Sequence, residues 1–431
     1  MGMTAPRTVR RRTALGLAVG AVAAAALGGS SRARGRARAR ARVLVIGGGF
    51  AGGACALELR RLDPSLDVEI IDPEERYVSC PMSNEVLVKL RTLESLRIAR
   101  AGLEQRGVRV IRDRAKAIDA RRRLVTLERG AARSYERLVL APGIRFLWGR
   151  PQGYTEAVAQ RMPHAWQAGA QTLVLAAQIA SLRAGGVVAI SVPAGPMRCP
   201  PGPFERASLI AGYLKPRNAR AKVLIFDANN RFPKQDVFTE AWRELYPGMI
   251  EWIPVVSGGA VERVDPASMT LHTAQGSQRA DVINIIPPQA PAEIAADAGL
   301  AEGHGWCPVE APTFASTLAP DIHVIGDACI ADPMPKAASS ASSQARCCAR
   351  AIAAALGGAG ARASAAGASL ESVCYSLLAP DRALSIRARF EIKDGAIERL
   401  APADEPGASP AQSALAAEQW FARLKLDSFG G

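Results

Sequence analysis

The most constraining feature of the sequence is a glycine-rich loop between an apolar run and a helical segment. The apolar run spans residues 42–46, the loop spans residues 47–52 with the pattern Gly-x-Gly-x-x-Gly, and residues 54–61 have helical character. A second apolar run, residues 68–71, ends at Asp72, twenty residues after the last glycine. This order and spacing predict a βαβ unit that binds a dinucleotide.

The three glycines of this loop have separate structural roles. Gly47 allows the tight turn, Gly49 lets the backbone approach a pyrophosphate, and Gly52 permits close packing of the helix on the strand. The pyrophosphate then lies at the helix N-terminus, and Asp72 accepts hydrogen bonds from ribose hydroxyls. A glycine turn without a ligand is the alternative, but the strand, helix and acid at these distances favour a nucleotide site.

Two later strands indicate that the nucleotide is FAD. The apolar run 138–141 ends in a Pro-Gly turn, and the run 322–325 ends in Gly-Asp, whose carboxylate can hold the ribityl chain of a flavin. The residues predicted to contact FAD in these two motifs are Pro142, Gly143, Gly326 and Asp327. The set resembles the flavoproteins related to glutathione reductase, in which the FAD domain is split around a second domain.

A second nucleotide-binding-like unit begins with the apolar run 186–192. The expected glycine loop is missing after it, and residues 193–203 contain five prolines instead. Because proline has no backbone N–H group and a fixed φ, such a loop cannot cradle a pyrophosphate in the usual way. We infer that NAD(P)H is not the electron partner, and that a cysteine lies where the nicotinamide would otherwise approach the flavin.

The predicted fold class is α/β, with two Rossmann-like dinucleotide-binding domains of the glutathione reductase type and a small α+β C-terminal domain. A linker of small residues after Gly357 marks the last boundary. The predicted parts are an export signal and Arg/Ala-rich leader at 1–42, an FAD-binding domain at 43–150 and 285–357, a second nucleotide-binding-like domain at 151–284, and a C-terminal domain at 358–431.

The leader is strongly basic, with ten arginines and no acidic residue. This leaves a net charge of +4 on the other 389 residues, which gives no reason to expect a nucleic-acid partner. Arg11 and Arg12 precede an apolar run at residues 14–29, which has the length of a signal-peptide core. We therefore predict twin-arginine export to the periplasm, with a Sec signal or a retained anchor as the alternatives. No later run reaches the roughly 18 apolar residues of a membrane helix, so the mature form is not expected to insert stably into a membrane.

Five stretches carry a close resemblance to a known family. They are residues 77–86, 197–206, 305–309, 326–329 and 374–380. The chain resembles the flavoprotein subunit of flavocytochrome c sulfide dehydrogenase over essentially everything after residue 42. The resemblance implies an FAD-dependent enzyme that oxidises sulfide to polysulfide or sulfur and passes electrons to a c-type cytochrome subunit in a heterodimer.

The resemblance also implies a role for Cys80, which lies in the first of these stretches. The matching cysteine of the family is joined covalently to the flavin methyl carbon, so the same thioether is expected here. A covalent bond prevents the loss of FAD from an exported enzyme that cannot readily be reloaded. The alternative is a buried structural cysteine.

Cys199 and Cys374 match the redox-active pair of the family and are expected to form a reactive disulfide beside the flavin. Hydrosulfide can attack a disulfide sulfur, leaving a persulfide on one cysteine and a thiolate on the other. Glu205, six residues after Cys199 at the predicted start of a helix, can accept the proton of hydrogen sulfide. The alternatives are a structural disulfide or two unpaired core cysteines, and for Glu205 an acid favoured by the helix dipole.

The remaining cysteines and the four histidines indicate neither a metal site nor a haem. Cys55, Cys347 and Cys348 fall in predicted helices, where packing is expected, and the roles of Cys307 and Cys329 stay open. The sequence has no Cys-x-x-Cys pair, and its histidines have no ligand spacing. Without a Cys-x-x-Cys-His motif the chain carries no haem of its own, so a reduced flavin needs the cytochrome as electron acceptor.

Two other functions stay open on the sequence. A sulfide:quinone oxidoreductase shares the fold and the cysteine chemistry, but it normally lacks an export signal and has lipid-facing C-terminal helices, whereas only one modest helix is predicted here, at residues 411–425. A non-enzymatic thiol and flavin protein that binds a sulfur-oxidation partner would keep the same residues. The leader favours the cytochrome-linked enzyme.

Overall fold

The computed structural model describes residues 41–301, 305–357, 370–401 and 410–431. The predicted export signal and the linker after Gly357 therefore lie outside the described residues. Within the part that is described, no helix is both long enough and apolar enough to cross a membrane.

The chain as far as residue 146 alternates short buried strands with helices. In chain order the elements are β1 (Arg42–Ile46), α1 (Phe50–Leu62), β2 (Asp67–Ile71), β3 (Arg76–Val78), α2 (Ser83–Leu87), β4 (Arg97–Ala99), α3 (Ala101–Gln105), β5 (Arg109–Ile111), β6 (Ala115–Asp119), β7 (Leu124–Leu127), β8 (Arg133–Ser134), β9 (Arg137–Leu140) and β10 (Ile144–Phe146). β1 pairs in parallel with β2 on one side and with β9 on the other, and its apolar residues are buried on both faces. The predicted βαβ unit is therefore present.

A second parallel sheet follows. Its part of the chain contains α4 (Ala170–Ala180), β11 (Val187–Val192), α5 (Gly202–Leu214), β12 (Lys222–Asp227), α6 (Gln235–Leu245), β13 (Ile250–Ile253), β14 (Val261–Asp265), β15 (Thr270–Thr273), β16 (Gly276–Arg279) and β17 (Val282–Ile285). The sheet order is β13-β12-β11-β17, and β14 to β16 form a separate antiparallel sheet. Ile285 is the last residue of β17 and pairs with Ser191 of β11, and the predicted domain boundary at residue 285 stays a prediction.

The chain then returns to the first sheet. This part contains β18 (Gln289–Pro291), α7 (Glu293–Asp297), β19 (Val309–Glu310), β20 (Ala315–Ser316), β21 (Ile322–Val324) and α8 (Ala338–Ala355). The completed sheet has the order β19-β20-β21-β9-β1-β2-β5, in which β21, β9, β1 and β2 are parallel. The predicted α/β class with two dinucleotide-binding folds is confirmed, and the carboxyl ends of these four strands lie at one edge.

The C-terminal segment joins the two folds. It contains β22 (Leu370–Ala379), β23 (Arg382–Lys393), β24 (Ala396–Arg399) and α9 (Pro410–Phe429). β22 packs against both α5 and α8, whereas α9 packs against α1. Phe421 and Leu424 of α9 are buried in the core of the first sheet, and Trp420 is half-buried beside Tyr375, with ring centroids 5.9 Å apart. The segment therefore has the predicted α+β composition but shares its core with both folds.

Candidate active site

The glycine loop between β1 and α1 has the backbone that its sequence predicts. Gly47 has a φ of +94°, a conformation that favours glycine, and a Cβ there would overlap the carbonyl oxygen of Ala141. A Cβ at Gly52 would overlap the carbonyl oxygen of Gly47, so the close approach of helix and loop requires glycine. At Gly49 a Cβ would lie 3.3 Å from the ring of Tyr77.

Asp72 braces this loop from the end of β2. Its Oδ2 atom accepts a hydrogen bond of 2.6 Å from the amide of Gly48, and its Oδ1 atom accepts one of 2.9 Å from the amide of Glu74. The predicted contact with a ribose stays a prediction.

A buried guanidinium that the sequence did not reveal, that of Arg100, lies against the same loop. It donates to the carbonyl oxygen of Gly48 and pairs with Asp72 at 3.2 Å, while its Nε atom has no hydrogen-bond partner among the described residues. A buried cation with a spare donor at a glycine loop fits the phosphates of a dinucleotide, so the residues present suit FAD.

The Pro-Gly and Gly-Asp motifs lie on adjacent strands of the first sheet, at the same edge as the glycine loop. Gly143 has a φ of +72° and follows Pro142 at the end of β9. Gly326 has a φ of +75°, and its amide donates to Oε1 of Gln344 at 2.8 Å. Burial raises the pKa of Asp327, which follows it. The fold thus brings the predicted FAD motifs together.

Arg198 interacts with both Cys80 and the Gly-Asp motif at the carboxyl edge of the first sheet. The guanidinium of Arg198 donates to the carbonyl oxygen of Trp166, and the sulfur of Cys80 lies 3.9 Å from the same oxygen. Burial lowers the pKa of Arg198, but the negative charges of Cys80 and Asp327 outweigh burial, and the net shift is upward. The predicted flavin attachment site and the Gly-Asp carboxylate therefore act on one buried cation.

Cys199 lies in the proline-rich loop between β11 and α5. It has a φ of +53°, and its amide donates to the carbonyl oxygen of Lys336 at 2.8 Å. Its own carbonyl oxygen accepts a hydrogen bond of 2.9 Å from the amide of Gly202, at the start of α5. These contacts hold the loop of the second fold against the segment that precedes α8 of the first.

Cys374 lies on β22, which runs along both α5 and α8. Its sulfur is 3.6 Å from Oγ of Ser339 in α8, and that hydroxyl accepts a hydrogen bond of 3.1 Å from the amide of Val373. Burial raises the pKa of both Cys199 and Cys374, and the charge of Cys374 adds to the shift at Cys199. The fold therefore places the two predicted redox cysteines within electrostatic reach of each other.

Neither of these cysteines is joined to another in the structure. All eight cysteines lie in the described part of the chain, and each is unpaired there. The disulfide between Cys199 and Cys374 stays a prediction.

Glu205 lies in the first turn of α5 and is hydrogen-bonded to β22 and α2. Its Oε1 atom accepts a hydrogen bond of 3.0 Å from the amide of Leu377, and its Oε2 atom accepts one of 3.1 Å from Nδ2 of Asn84. Burial raises the pKa of Glu205 to about 7. Its charge also raises the pKa of Cys199 and of Cys374. A carboxyl group poised near neutral pH beside two thiols is suited to proton transfer.

Arg206 is a fully buried cation whose role the sequence analysis missed. It donates to Oδ1 of Asn84 at 3.0 Å, to Oδ1 of Asn284 at 2.7 Å and to the carbonyl oxygens of His164 and Ala165 at 3.1 and 2.6 Å. Burial lowers its pKa to about 10. These bonds tie the start of α5 to α2, β17 and the segment before α4. The sequence signal for this role was that Arg206 lies in the stretch 197–206, one of the five that resemble the family.

The other cysteines are buried and belong to two groups, of which only Cys307 and Cys329 adjoin the Gly-Asp motif. Cys55 of α1 and Cys348 of α8 are buried together, and Cys347 is buried beside them. Cys307 and Cys329 face each other across an isolated parallel bridge and are also buried. Among the described residues no group of three His, Cys, Asp or Glu side chains could hold a metal ion.

In the second fold, Asp227 occupies the end of β12, where a nucleotide-binding fold places its ribose-binding acid. It is buried and accepts hydrogen bonds of 3.0 Å from Nε1 of Trp252 and 2.8 Å from Nδ2 of Asn229. This acid therefore makes its hydrogen bonds within the second fold, and the inference that this fold does not use NAD(P)H stays a prediction.

Three family models match successive parts of the chain. Residues 41–162 match the pyridine nucleotide-disulphide oxidoreductase family, residues 172–287 match the central part of the sulfide dehydrogenase [flavocytochrome c] flavoprotein chain, and residues 366–429 match the flavin-binding part of flavocytochrome c sulphide dehydrogenase. A stretch of 44 residues is 51% identical to the sulfide dehydrogenase flavoprotein chain of Chlorobaculum thiosulfatiphilum, and it covers 92% of that sequence and 10% of this chain. The chain belongs to the flavocytochrome c sulfide dehydrogenase flavoprotein family.

The chain also resembles more distant proteins, one by sequence and two by structure. The mitochondrial sulfide:quinone oxidoreductase of Dictyostelium discoideum is 23% identical over 318 residues, which cover 70% of this chain and 68% of that one. The structure of the sulfide:quinone oxidoreductase from Aquifex aeolicus superposes with a TM-score of 0.70 at 18% identity, over 91% of this chain and 93% of that one. The NAD-dependent persulfide reductase of A. fulgidus gives a TM-score of 0.56 at 19% identity, over 82% and 71% of the two chains.

Proposed function

We propose that the chain is the flavoprotein subunit of an FAD-dependent sulfide dehydrogenase, which oxidises sulfide to polysulfide or sulfur and passes the electrons to a c-type cytochrome. The observation that carries this proposal is the meeting of Cys199, Cys374 and Glu205 at the junction of α5, α8 and β22. Family membership supports sulfide as the substrate and a cytochrome as the partner.

The first chemical step uses only side chains of this chain. With Cys199 and Cys374 joined as a disulfide, the sulfur of hydrosulfide attacks one of the two sulfurs and the disulfide bond breaks. A new S–S bond forms on the attacked cysteine, and the other cysteine leaves as a thiolate with the electron pair of the broken bond. Glu205 accepts the proton of hydrosulfide, so the products are a persulfide anion, a thiolate and a protonated carboxyl group.

FAD, when bound, supplies the two-electron acceptor for this thiolate chemistry. The residues that would hold it are Gly47, Gly49, Gly52, Asp72, Arg100, Pro142, Gly143, Gly326 and Asp327. We further propose that Cys80 holds the flavin covalently through a thioether. Its position 3.9 Å from the Trp166 carbonyl oxygen, to which Arg198 also donates, supports this assignment.

Replacing Cys80 with alanine is expected to release the flavin from the denatured protein. After acid precipitation, the yellow colour should stay with the pellet of the unmodified enzyme and move to the supernatant of Cys80→Ala, because only a covalent bond survives unfolding. Cys347→Ala, which changes a buried cysteine of α8, should keep the colour in the pellet. Colour in the supernatant of the unmodified enzyme would disprove the thioether.

We also propose where the enzyme is located and which protein accepts its electrons. We assign the periplasm as the location and the twin-arginine signal at residues 1–42 as the route, because a folded, FAD-loaded enzyme suits that pathway. A c-type cytochrome in a heterodimer then takes the electrons, since the chain has no haem-attachment motif.

One experiment separates this function from its two alternatives. Sulfide is added to the holoenzyme, and reduction of a c-type cytochrome is compared with reduction of a short-chain quinone. The proposed enzyme bleaches its flavin with sulfide and reduces the cytochrome faster. Faster quinone reduction would identify a sulfide:quinone oxidoreductase, the function of the distant relatives, and an unchanged flavin spectrum would favour a non-enzymatic partner protein.

The pKa of Glu205 predicts a pH-dependent effect of its substitution. Because the ionised carboxylate is the base, the unmodified enzyme should bleach its flavin faster as the pH rises through about 7. Glu205→Gln should be slower by about a hundredfold above that pH, the low end of the contribution of a positioned base, and the difference should shrink below it. Stopped-flow absorbance measures the bleaching rate of both enzymes at the same pH values. The ionisation of sulfide then affects both rates equally and does not change their ratio.

Glu293→Gln provides the matched control for this measurement, because Glu293 is an exposed acid in the first turn of α7. It should follow the unmodified pH profile. A ratio of the Glu205→Gln and unmodified rates that stays constant from acid to alkaline pH would show that Glu205 is not the base.

A further inference from the structure

A cavity of about 340 Å³ lies beside the active site, between α2, the end of β22 and α9. Leu377, Glu85, Ala414 and Glu418 are among the residues that line it, and Leu415 at its rim is 65% exposed. Because a water molecule occupies about 30 Å³ in the liquid, the cavity has room for several. It therefore offers a water path between this part of the interior and the surface.

Of the two groups that bind Glu205, Leu377 lines this cavity and Asn84 precedes a residue that does. Leu377 donates its amide to Oε1 of Glu205, and its side chain forms part of the cavity wall. Asn84 donates to Oε2 of Glu205, and the next residue along α2 is Glu85, which also lines the cavity. The hydrogen-bond partners of Glu205 thus connect its carboxyl group to residues of the cavity wall.

Glu85 is a buried carboxyl group that the proposed reaction has not yet used. Its side chain is 5% exposed, and its Oε2 atom accepts a hydrogen bond of 3.0 Å from Nε of Arg91. Its Oε1 atom is buried and has no hydrogen-bond partner in the part of the chain that the structure describes. A buried carboxylate oxygen without a partner is costly, which indicates that water or a proton occupies it in solution.

Burial and a neighbouring carboxylate favour the protonated form of Glu85. Burial raises its pKa, Arg91 opposes this shift, and Glu418 on α9 adds to it. The charge of Glu85 in turn raises the pKa of Glu205, so a proton on one carboxyl group affects the other. Two coupled carboxyl groups with raised pKa values, one at the thiols and one at a cavity, are arranged as a relay.

We propose that Glu85 carries the proton of sulfide from Glu205 to solvent through this cavity. The inference rests on the proposed function, in which Glu205 accepts one proton from hydrosulfide and must lose it before the next turnover. The proton passes from Glu205 to the Glu85 carboxylate, and from there through water in the cavity to bulk water. Only O–H bonds form and break in this transfer, and no electron moves.

Glu85→Gln in the holoenzyme tests this relay. Sulfide is mixed with the oxidised enzyme at pH 8 in weak buffer, while flavin absorbance reports the first turnover and a pH-indicator dye reports proton release. We expect bleaching in the first turnover to be unchanged, because Glu205 starts ionised. Proton release and kcat should each fall about tenfold, and KM should not change. The fall is smaller than the effect of removing a base that touches the substrate. A high concentration of imidazole buffer should restore kcat.

Two further variants separate the relay from a purely structural role. Glu293→Gln makes the same chemical change at an exposed acid of α7 that does not line the cavity, and it should leave proton release unchanged. Ala414→Phe fills the cavity without altering Glu85, and it should slow proton release as Glu85→Gln does.

The outcomes distinguish the relay from the proposed function. If sulfide fails to bleach the flavin of the unmodified holoenzyme, the proposed function is wrong. If sulfide bleaches it and proton release keeps pace in both Glu85→Gln and Ala414→Phe, the function stands and the relay is wrong.

Discussion

Sulfide should no longer bleach the flavin once either Cys199 or Cys374 is replaced by serine. A serine hydroxyl has nearly the size of a thiol but forms no disulfide, so hydrosulfide finds no sulfur to attack. We expect the rate of bleaching to fall at least about a thousandfold, the scale on which an enzyme responds to loss of its covalent nucleophile. The measurement is stopped-flow absorbance of the flavin after mixing with sulfide.

Two controls make this result specific. Dithionite should still bleach the flavin of both variants, which shows that the cofactor site is intact. Cys347→Ser, which alters a buried cysteine of α8 away from the site, should react with sulfide at the unmodified rate. Peptide mapping of the oxidised, unreduced enzyme should join Cys199 to Cys374. Rapid bleaching of both serine variants by sulfide would show that the pair has only a structural role.

The local parts of the fold could be predicted from the sequence because short-range rules determine them. A buried strand, a Gly-x-Gly-x-x-Gly loop and a helix within twenty residues have few other ways to pack, and Gly47 and Gly52 stand where a Cβ would overlap the backbone. The end of β17 at Ile285, by contrast, is set by pairing with β11 and not by any local stop signal.

The active site depends on long-range contacts that the sequence does not encode locally. The pairing of Cys199 with Cys374 came from family resemblance, since nothing in their spacing indicates that β22 will lie along α5. Arg100, Arg206 and Glu85 were missed for a related reason. A charged residue in a sequence is usually exposed, and only the tertiary structure shows that these three are buried with specific partners.

Loss of the Arg206 guanidinium should destabilise the fold more than any surface change. Arg206→Met keeps much of the side-chain volume but leaves Oδ1 of Asn84, Oδ1 of Asn284 and two backbone carbonyl oxygens without their donor. Each unsatisfied buried acceptor costs about 1–3 kcal/mol, and partial relaxation brings the expected loss in free energy of unfolding to about 3–5 kcal/mol. Urea denaturation followed by circular dichroism measures it. Arg217→Met, the same change at an exposed arginine beyond α5, should cost less than about 0.5 kcal/mol.

The Arg206→Lys variant tests whether this buried cation also sets the pKa of Glu205. Lysine keeps the charge on a single point and cannot reach all four acceptors, so we expect a folded enzyme with an intermediate loss of stability. The positive charge of Arg206 lowers the pKa of Glu205, and Asn84, which Arg206 positions, donates to the Glu205 carboxylate. A displaced charge and a loosened Asn84 should therefore raise the pKa of Glu205, and the pH at which sulfide bleaching reaches half its maximal rate should move above 7. An unchanged midpoint in a destabilised Arg206→Lys enzyme would show that the buried cation supports the fold without tuning the base.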